Sequence, residues 1–211
     1  MEVRPELAAC LTNAWDERNG ERRDYLRGWL DGKLPADTVC LPDLLRRNYV
    51  PSQTFLFRRD LLFPLPDTIW KAPVSDYVLV VHLALKGCFG YVDRHTTVRR
   101  HHGGGIISMK SALHKVDVNI GTLQELRGMV PAGMRSVIDD RLADLHREGL
   151  QLALDKGDRQ AARRLWKGLR GTPGARTGWR ERLRNTVLVH FPTLARAIHA
   201  VRTRTHGASQ G

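Results

Sequence analysis

Acidic side chains are nearly absent from the last quarter of this 211-residue chain. Residues 159–211 contain twelve Lys or Arg and one acid, Glu181, whereas residues 1–158 are close to neutral. The formal net charge of +12 is therefore a property of the C-terminal region. A basic region of this kind favours contact with an anionic surface, either a membrane or a nucleic acid. The alternative is an arginine-rich end that is merely solvated.

Cysteine is also scarce, with only Cys10, Cys40 and Cys88. An odd number of distant cysteines argues against a secreted disulfide framework, and no Cys/His spacing indicates a zinc site. We therefore expect buried free thiols in a reducing compartment. No apolar run approaches the roughly 18 residues that a membrane-spanning helix needs, and the N-terminus lacks the apolar stretch of a signal peptide. These features predict a cytoplasmic protein, which the basic region could attach to the inner face of a membrane.

Aromatic residues are few in the basic region, which contains only Trp166, Trp179 and Phe191. Proteins that bind single-stranded nucleic acid interleave aromatic and basic residues, and folded DNA readers show recognisable motifs. Neither pattern is present here. Nucleic-acid binding is therefore the least favoured use of the positive charge.

The hydrophobic pattern predicts a mixed α/β (or α+β) chain with three regions. Residues 1–109 alternate short strand and helix signals around a sheet, and Asn19-Gly20 predicts the turn of a hairpin over residues 14–22. Residues 110–170 read as a helical extension, in which Gly157-Asp158 separates the two helices of a hairpin. Residues 171–211 read as a linker, a basic amphipathic helix and a disordered end. One apolar stripe is expected along that helix, formed by Trp179, Leu183, Val187, Phe191, Leu194, Ile198 and Val201.

Three short runs are rich in aromatic and β-branched residues and are therefore predicted as strands: residues 53–57, 89–92 and 96–100. Residues 77–86 are nearly all apolar and predict a buried helix. Ser75 is the expected N-cap of that helix. Residues 41–48 predict a short helix capped around Asp43.

Four features occur in order between residues 51 and 108. Phe57-Arg58-Arg59 follows a short strand, Asp76 opens an apolar helix, residues 90–93 form the strand Gly-Tyr-Val-Asp, and Arg100-x-His102 leads into a glycine cluster. This order resembles the acceptor-side half of a family 2 glycosyltransferase of the GT-A type. The resemblance covers about residues 10–125 and implies transfer of a sugar from a nucleotide sugar to a hydroxyl acceptor.

By that resemblance, Asp76 is the base that removes the proton of the acceptor hydroxyl, and it must then lie within hydrogen-bond reach of that hydroxyl. The alternative is an acid that only favours the start of a helix. Arg59 would lie beneath the acceptor pocket, or else pair with Asp60 or Asp67. Trp70 would stack on a sugar face, or else fill the core.

The resemblance also implies that Arg100 binds the nucleotide diphosphate and that His102 completes a site for a divalent metal. A cation there would stabilise the charge that develops on the leaving group. Where the family usually shows Tyr before the Arg, this chain has Arg99. The alternatives are a basic surface loop and, less favoured, a zinc site formed with His95 and His101.

An Asp-x-Asp motif, the expected metal anchor of the donor half, is missing from residues 1–50. A bound Mg²⁺ or Mn²⁺ is therefore expected only in a complete enzyme. The donor-binding half of that enzyme would come from a longer chain or from a separate polypeptide. The sequence thus predicts a partial GT-A-like sheet, inactive alone. The alternative functions are a non-catalytic module that binds glycan or a partner protein and, less favoured, a basic protein that binds nucleic acid.

Overall fold

The computed structural model describes residues 4–101 and 109–190. The chain divides into two compact units, Met1–Ile138 and Asp139–Gly211. The first unit holds a mixed, open sheet with flanking helices, and the described part of the second is helical. This agrees with the predicted α/β class and helical extension, although the sequence had placed the boundaries after residues 109 and 170. Within the described ranges, no helix has both the length and the apolar character needed to cross a bilayer.

Five strands form the sheet of the first unit. They are β1 (Ala9–Arg18), β2 (Glu21–Asp24), β3 (Thr38–Val39), β4 (Leu56–Phe57) and β5 (Phe89–Arg100). Their order is β2-β1-β5-β3, and β4 pairs with the start of β1. Only the central pair, β1 and β5, runs parallel. The buried starts of β1 and β5 anchor the sheet in the core, whereas their carboxyl ends carry charged side chains.

A tight turn connects β1 to β2. Asn19 and Gly20 both have positive φ, at 51° and 83°. Two consecutive positive φ values match the twist of a two-residue hairpin, and Asn-Gly is the dipeptide that adopts them at least cost. The predicted hairpin is therefore confirmed, and its second strand lies against residues 15–18 of β1.

Five α-helices flank the sheet. They are α1 (Tyr25–Trp29), α2 (Leu41–Arg46), α3 (Thr68–Lys71), α4 (Ser75–Ala84) and α5 (Ala112–Met129). As the apolar pattern predicted, α4 is buried over most of its length. The Asp43 carboxylate accepts a hydrogen bond from the Cys40 amide at the start of α2. The long helix α5 belongs to this unit because it buries a regular apolar stripe, formed by Val116, Ile120, Leu123 and Leu126.

Three local predictions are wrong. Residues 53–57 are not one strand: Ser52–Thr54 forms a 3₁₀ turn and only Leu56–Phe57 pairs in the sheet. The two strands expected at 89–92 and 96–100 are one strand, β5, because parallel pairing with β1 resumes after two bulges in its charged middle, where His95 still pairs with Asn13. Helix α4 has Val74 as its N-cap, and the predicted cap Ser75 is already helical.

The expectation of free thiols is also wrong for two of the three cysteines. Cys40 and Cys88 form a disulfide bond across 48 positions of sequence, whereas Cys10 is free and partly exposed. Cys40 directly follows β3, and Cys88 directly precedes β5. Because β3 and β5 are paired antiparallel, the strand register itself brings the two cysteines together.

The second unit is built from α6 (Arg135–Asp155), α7 (Arg159–Gly171) and α8 (Trp179–His190), of which α6 begins a few residues before the unit boundary. The break between α6 and α7 falls at Gly157, whose φ of 69° suits glycine. Gly168 of α7 lies so close to the ring of His146 on α6 that no side chain would fit there. The predicted helical hairpin is therefore confirmed, and it is closely packed.

Candidate functional site

The carboxyl ends of the two parallel strands meet at one edge of the sheet. Asp16 of β1 lies opposite Arg99 of β5, and Glu17 lies opposite Arg100. In open sheets, ligands bind in the crevice outside the carboxyl ends of parallel strands. This edge, together with the helix termini beside it, is the candidate functional site.

One face of the strand ends carries a compact set of polar groups. His101 shares a hydrogen bond of 2.5 Å with Asp16, and the Arg99 guanidinium lies 4.0 Å from the same carboxylate. The Arg99 guanidinium also lies over the ring of Tyr25, 5.4 Å from its centroid. Since side chains two apart on a strand share a face, Arg99 and His101 both belong to this side.

The opposite face carries Arg100. Its guanidinium is 3.2 Å from Glu17, which also accepts a hydrogen bond of 2.9 Å from Arg22. The Arg22 hydrogen bond is the main cause that lowers the pKa of Glu17, and Arg100 adds to the effect. Consecutive strand residues point to opposite faces, so Arg100, the predicted diphosphate ligand, lies away from Arg99 and His101.

Asp76 lies in the first turn of α4 and is exposed, while the helix behind it is buried. The position of this turn is fixed from α5. The buried Thr122 hydroxyl accepts a hydrogen bond of 3.2 Å from the Val74 amide, and the backbone at Gly121 lies against Pro73. These two contacts attach the short segment before Asp76 to α5.

Tyr25 electrostatically links Asp76 to the strand ends. Burial is the largest cause that raises the pKa of the Tyr25 hydroxyl. Arg99 opposes this rise, whereas the carboxylates of Asp16 and Asp76 increase it. Both carboxylates thus lie within electrostatic reach of one phenol. Asp16, Arg99, Tyr25 and His101 are in contact at the strand ends, and Asp76 contributes to the electrostatic environment of the Tyr25 ring.

A buried polar network lies next to the strand ends. Asn13 is fully buried: its side-chain amide donates to both carboxylate oxygens of Asp24, at 3.0 and 3.1 Å, and its carbonyl accepts from the Leu26 amide. Asp24 also receives a hydrogen bond of 3.1 Å from His95, whose ring stacks on Trp15. Two register shifts in the β1–β5 pairing flank Asn13. The network therefore ties β1, the start of α1 and β5 together where the strand pairing is irregular.

The network also shifts the pKa of Asp24. Burial raises that pKa, but the hydrogen bonds from the Arg27 amide, Asn13 and His95 outweigh burial, so the net pKa is lowered. Asp24 is thus held as a carboxylate that fixes its neighbours in place. This group cannot be found from the sequence, because Asn13 and His95 are far apart in the chain and no local pattern connects them.

The remaining predicted residues are spread out. Arg59 is exposed on a 3₁₀ turn and has no ion pair among the described residues, so the predicted alternative of pairing with Asp60 or Asp67 is wrong. Trp70 is 78% exposed on α3, which excludes the alternative that it fills the core. His102 and the glycines after it lie outside the described residues.

Asp16 and His101 are the two metal-type ligands in direct contact at this site. Across residues 4–101 and 109–190, no group of three or more His, Cys, Asp or Glu side chains could hold a metal ion. No protein-family model, curated protein or solved structure matches this chain.

Proposed function

We propose that this chain provides the acceptor side of a GT-A-type glycosyltransferase, which transfers a sugar from a nucleotide sugar to a hydroxyl group. One observation carries the proposal: an exposed carboxylate, Asp76, stands in the first turn of α4 and acts electrostatically on Tyr25, the ring that Arg99 covers at the strand ends. The order of motifs in residues 51–108 supports the same assignment.

In this proposal Asp76 is the base. The acceptor oxygen attacks the anomeric carbon of the donor sugar, the bond from that carbon to the diphosphate oxygen breaks, and the acceptor proton passes to the Asp76 carboxylate. The attack comes from the face opposite the leaving group, so the anomeric configuration is inverted. Exposure of Asp76 suits this role because the acceptor hydroxyl must approach within hydrogen-bond distance.

Arg99 is the cation of this chain that we assign to the leaving diphosphate. Its guanidinium is on the same side as Asp16, His101 and Tyr25, whereas Arg100 is held by Glu17 on the other face. A fixed cation near the developing negative charge stabilises the transition state. The family pattern has a Tyr directly before an Arg. In this chain Arg99 stands at the Tyr position, and it is the side chain that faces the site.

The carboxylates that hold the donor metal must come from outside this sequence, because no Asp-x-Asp occurs in its 211 residues. The outer edge of β5 offers a place for another strand: β3 covers only Phe89 and Gly90, and no other described strand pairs beyond them on that side. We propose that a donor-binding polypeptide completes the site, with Mg²⁺ or Mn²⁺ bound there.

Transfer can be tested with the full chain alone and with the chain recovered from its natural host by an affinity tag. Each preparation is incubated with Mn²⁺, a panel of uridine, guanosine and thymidine diphosphate sugars, and a mixture of simple glycoside acceptors. We expect nucleoside diphosphate release from the recovered complex and none from the chain alone. Absence of acceptor-dependent release from both preparations would contradict the proposal.

A second candidate, a non-catalytic glycan-binding module, is favoured by the exposure of Trp70. An indole ring at the surface can stack on the apolar face of a sugar. Trp179 is a matched control, because it is 71% exposed but belongs to the other unit. If glycan-array binding is lost in Trp70→Ala and kept in Trp179→Ala while the recovered complex releases no nucleoside diphosphate, the binding module is the better description.

A further inference from the structure

The start of α8 presents an unusual surface to solvent. Trp179 and Leu183 are 71% and 59% exposed, although both are large and apolar. They lie four residues apart and therefore on the same face of the helix. The buried residues of α8, Asn185 and Val189, lie on a different face. The sequence stripe that begins with these two residues is thus not buried against the helical hairpin at its start, and its continuation beyond residue 190 lies outside the described residues.

Arginines surround this apolar pair. Arg176, Arg180, Arg182 and Arg184 are all exposed, and the Arg180 guanidinium lies over the Trp179 ring at 5.3 Å. The one acid of α8, Glu181, is paired with Arg147 of α6. Its charge is therefore already compensated, and the surface around the pair remains strongly positive.

Helix α7 adds further positive charge to the same unit. Its buried face is apolar, and its exposed face carries Arg159, Arg163, Arg164, Lys167 and Arg170. No acid occurs within α7. A helix of 13 residues is about 20 Å long, so these cations create a positive field over a wide area.

We propose that the second unit binds the surface of an anionic lipid bilayer, with Trp179 and Leu183 inserted at the headgroup level and the arginines on the phosphates. Interfacial helices combine an apolar face with Lys or Arg in this manner, and Trp prefers the membrane–water boundary. Nucleic acid would satisfy the charge equally well. It gives no reason, however, for an exposed Leu beside the Trp, whereas the acyl boundary of a bilayer does.

The test is co-sedimentation of the full chain with vesicles of phosphatidylcholine, or of phosphatidylcholine mixed with phosphatidylglycerol. We expect binding only to the anionic vesicles, weakening as salt rises. The double variant Trp179→Ala/Leu183→Ala should bind at least about tenfold more weakly, since it removes most of the apolar insertion. The triple variant Arg176→Gln/Arg180→Gln/Arg184→Gln should lose about fivefold per arginine.

Matched controls come from the first unit. Trp70→Ala removes an equally exposed indole, and Arg23→Gln/Lys33→Gln/Arg46→Gln removes three exposed cations. Neither should change vesicle binding. A circular dichroism melt of each variant confirms that it is folded.

Three results would overturn the proposal. The full chain could stay in the supernatant with anionic vesicles at low salt. It could bind neutral and anionic vesicles equally. It could bind duplex DNA more tightly than anionic vesicles, with no effect of the Trp179/Leu183 variant, in which case the surface is a nucleic-acid site.

Discussion

Breaking the Cys40–Cys88 disulfide should measurably destabilise the first unit. The bond closes a loop that spans 48 positions and includes β4, α3 and α4. In the chain-entropy treatment, a loop of this length restricts the unfolded chain by about 4 kcal/mol at 25 °C. This value is the most that the bond can contribute through the unfolded state, and for a unit of this size it corresponds to roughly 14 °C in melting temperature.

Two measurements check this expectation. In protein purified without reductant and then denatured, an alkylating reagent should label one thiol, Cys10, and should label all three only after reduction. In scanning calorimetry, reduction of the wild type should lower the melting temperature, and Cys88→Ala should lower it to a similar extent. Cys10→Ser is the control, because it removes a thiol without opening a loop, and we expect a change below about 1 kcal/mol.

Three labelled thiols before reduction would contradict the disulfide bond. A melting temperature that neither reduction nor Cys88→Ala changes would contradict its stabilising effect. The first result would mean that the strand register does not bring the sulfurs together. The second would mean that the loop is already restricted in the unfolded chain.

Two further predictions concern stability. His82 is buried in α4 and donates a hydrogen bond of 3.1 Å to the Leu62 carbonyl; burial, helped by Lys86, lowers its pKa. A lowered pKa in the folded state means that the unfolded chain takes up the proton first, so stability should fall as pH drops below about 6.5. In melts at several pH values, His82→Gln should flatten the dependence of melting temperature on pH. His190→Gln, at an exposed position, should leave that dependence unchanged. Equal slopes of melting temperature against pH in the wild type and both variants would contradict the prediction. Asn13→Ala should cost about 3 kcal/mol in urea unfolding, because it leaves buried hydrogen-bonding groups unpaired, whereas a loss below about 1 kcal/mol would show that the network is not needed.

Features set by neighbouring residues could be predicted from the sequence. Asn19-Gly20 fixes a hairpin because the dipeptide itself adopts the required backbone angles. The apolar run after Asp76 predicts a buried helix. Gly157-Asp158 marks the break between α6 and α7, because glycine ends one helix and Asp158 caps the next. In each case the physical cause lies within a few residues.

Features set by distant contacts could not be predicted in this manner. Cys40 and Cys88 meet only because β3 and β5 pair, and spacing alone does not reveal strand register. The charged middle of β5 looked like a break between two strands, yet it is a bulged part of one strand that pairs with β1 on either side. The regular pairing after the bulges, Asp16 with Arg99 and Glu17 with Arg100, decides which side each arginine takes. Similarly, a helical stripe can be read from the sequence, but the exposure of Trp179 at its start cannot.

The role of Asp76 is the central claim, and one comparison tests it most directly. Acceptor-dependent nucleoside diphosphate release is measured for the complex recovered with wild-type chain, with Asp76→Asn, and with Asp67→Asn. Asp67 is a matched control, since it too is an exposed carboxylate at the start of a helix. Asparagine keeps the shape of aspartate but cannot accept the proton, so Asp76→Asn should lower kcat by about 10²–10⁴-fold, while Asp67→Asn leaves it within about twofold. Near-wild-type kcat in Asp76→Asn would contradict the account and leave Asp76 as an acid that only stabilises its helix.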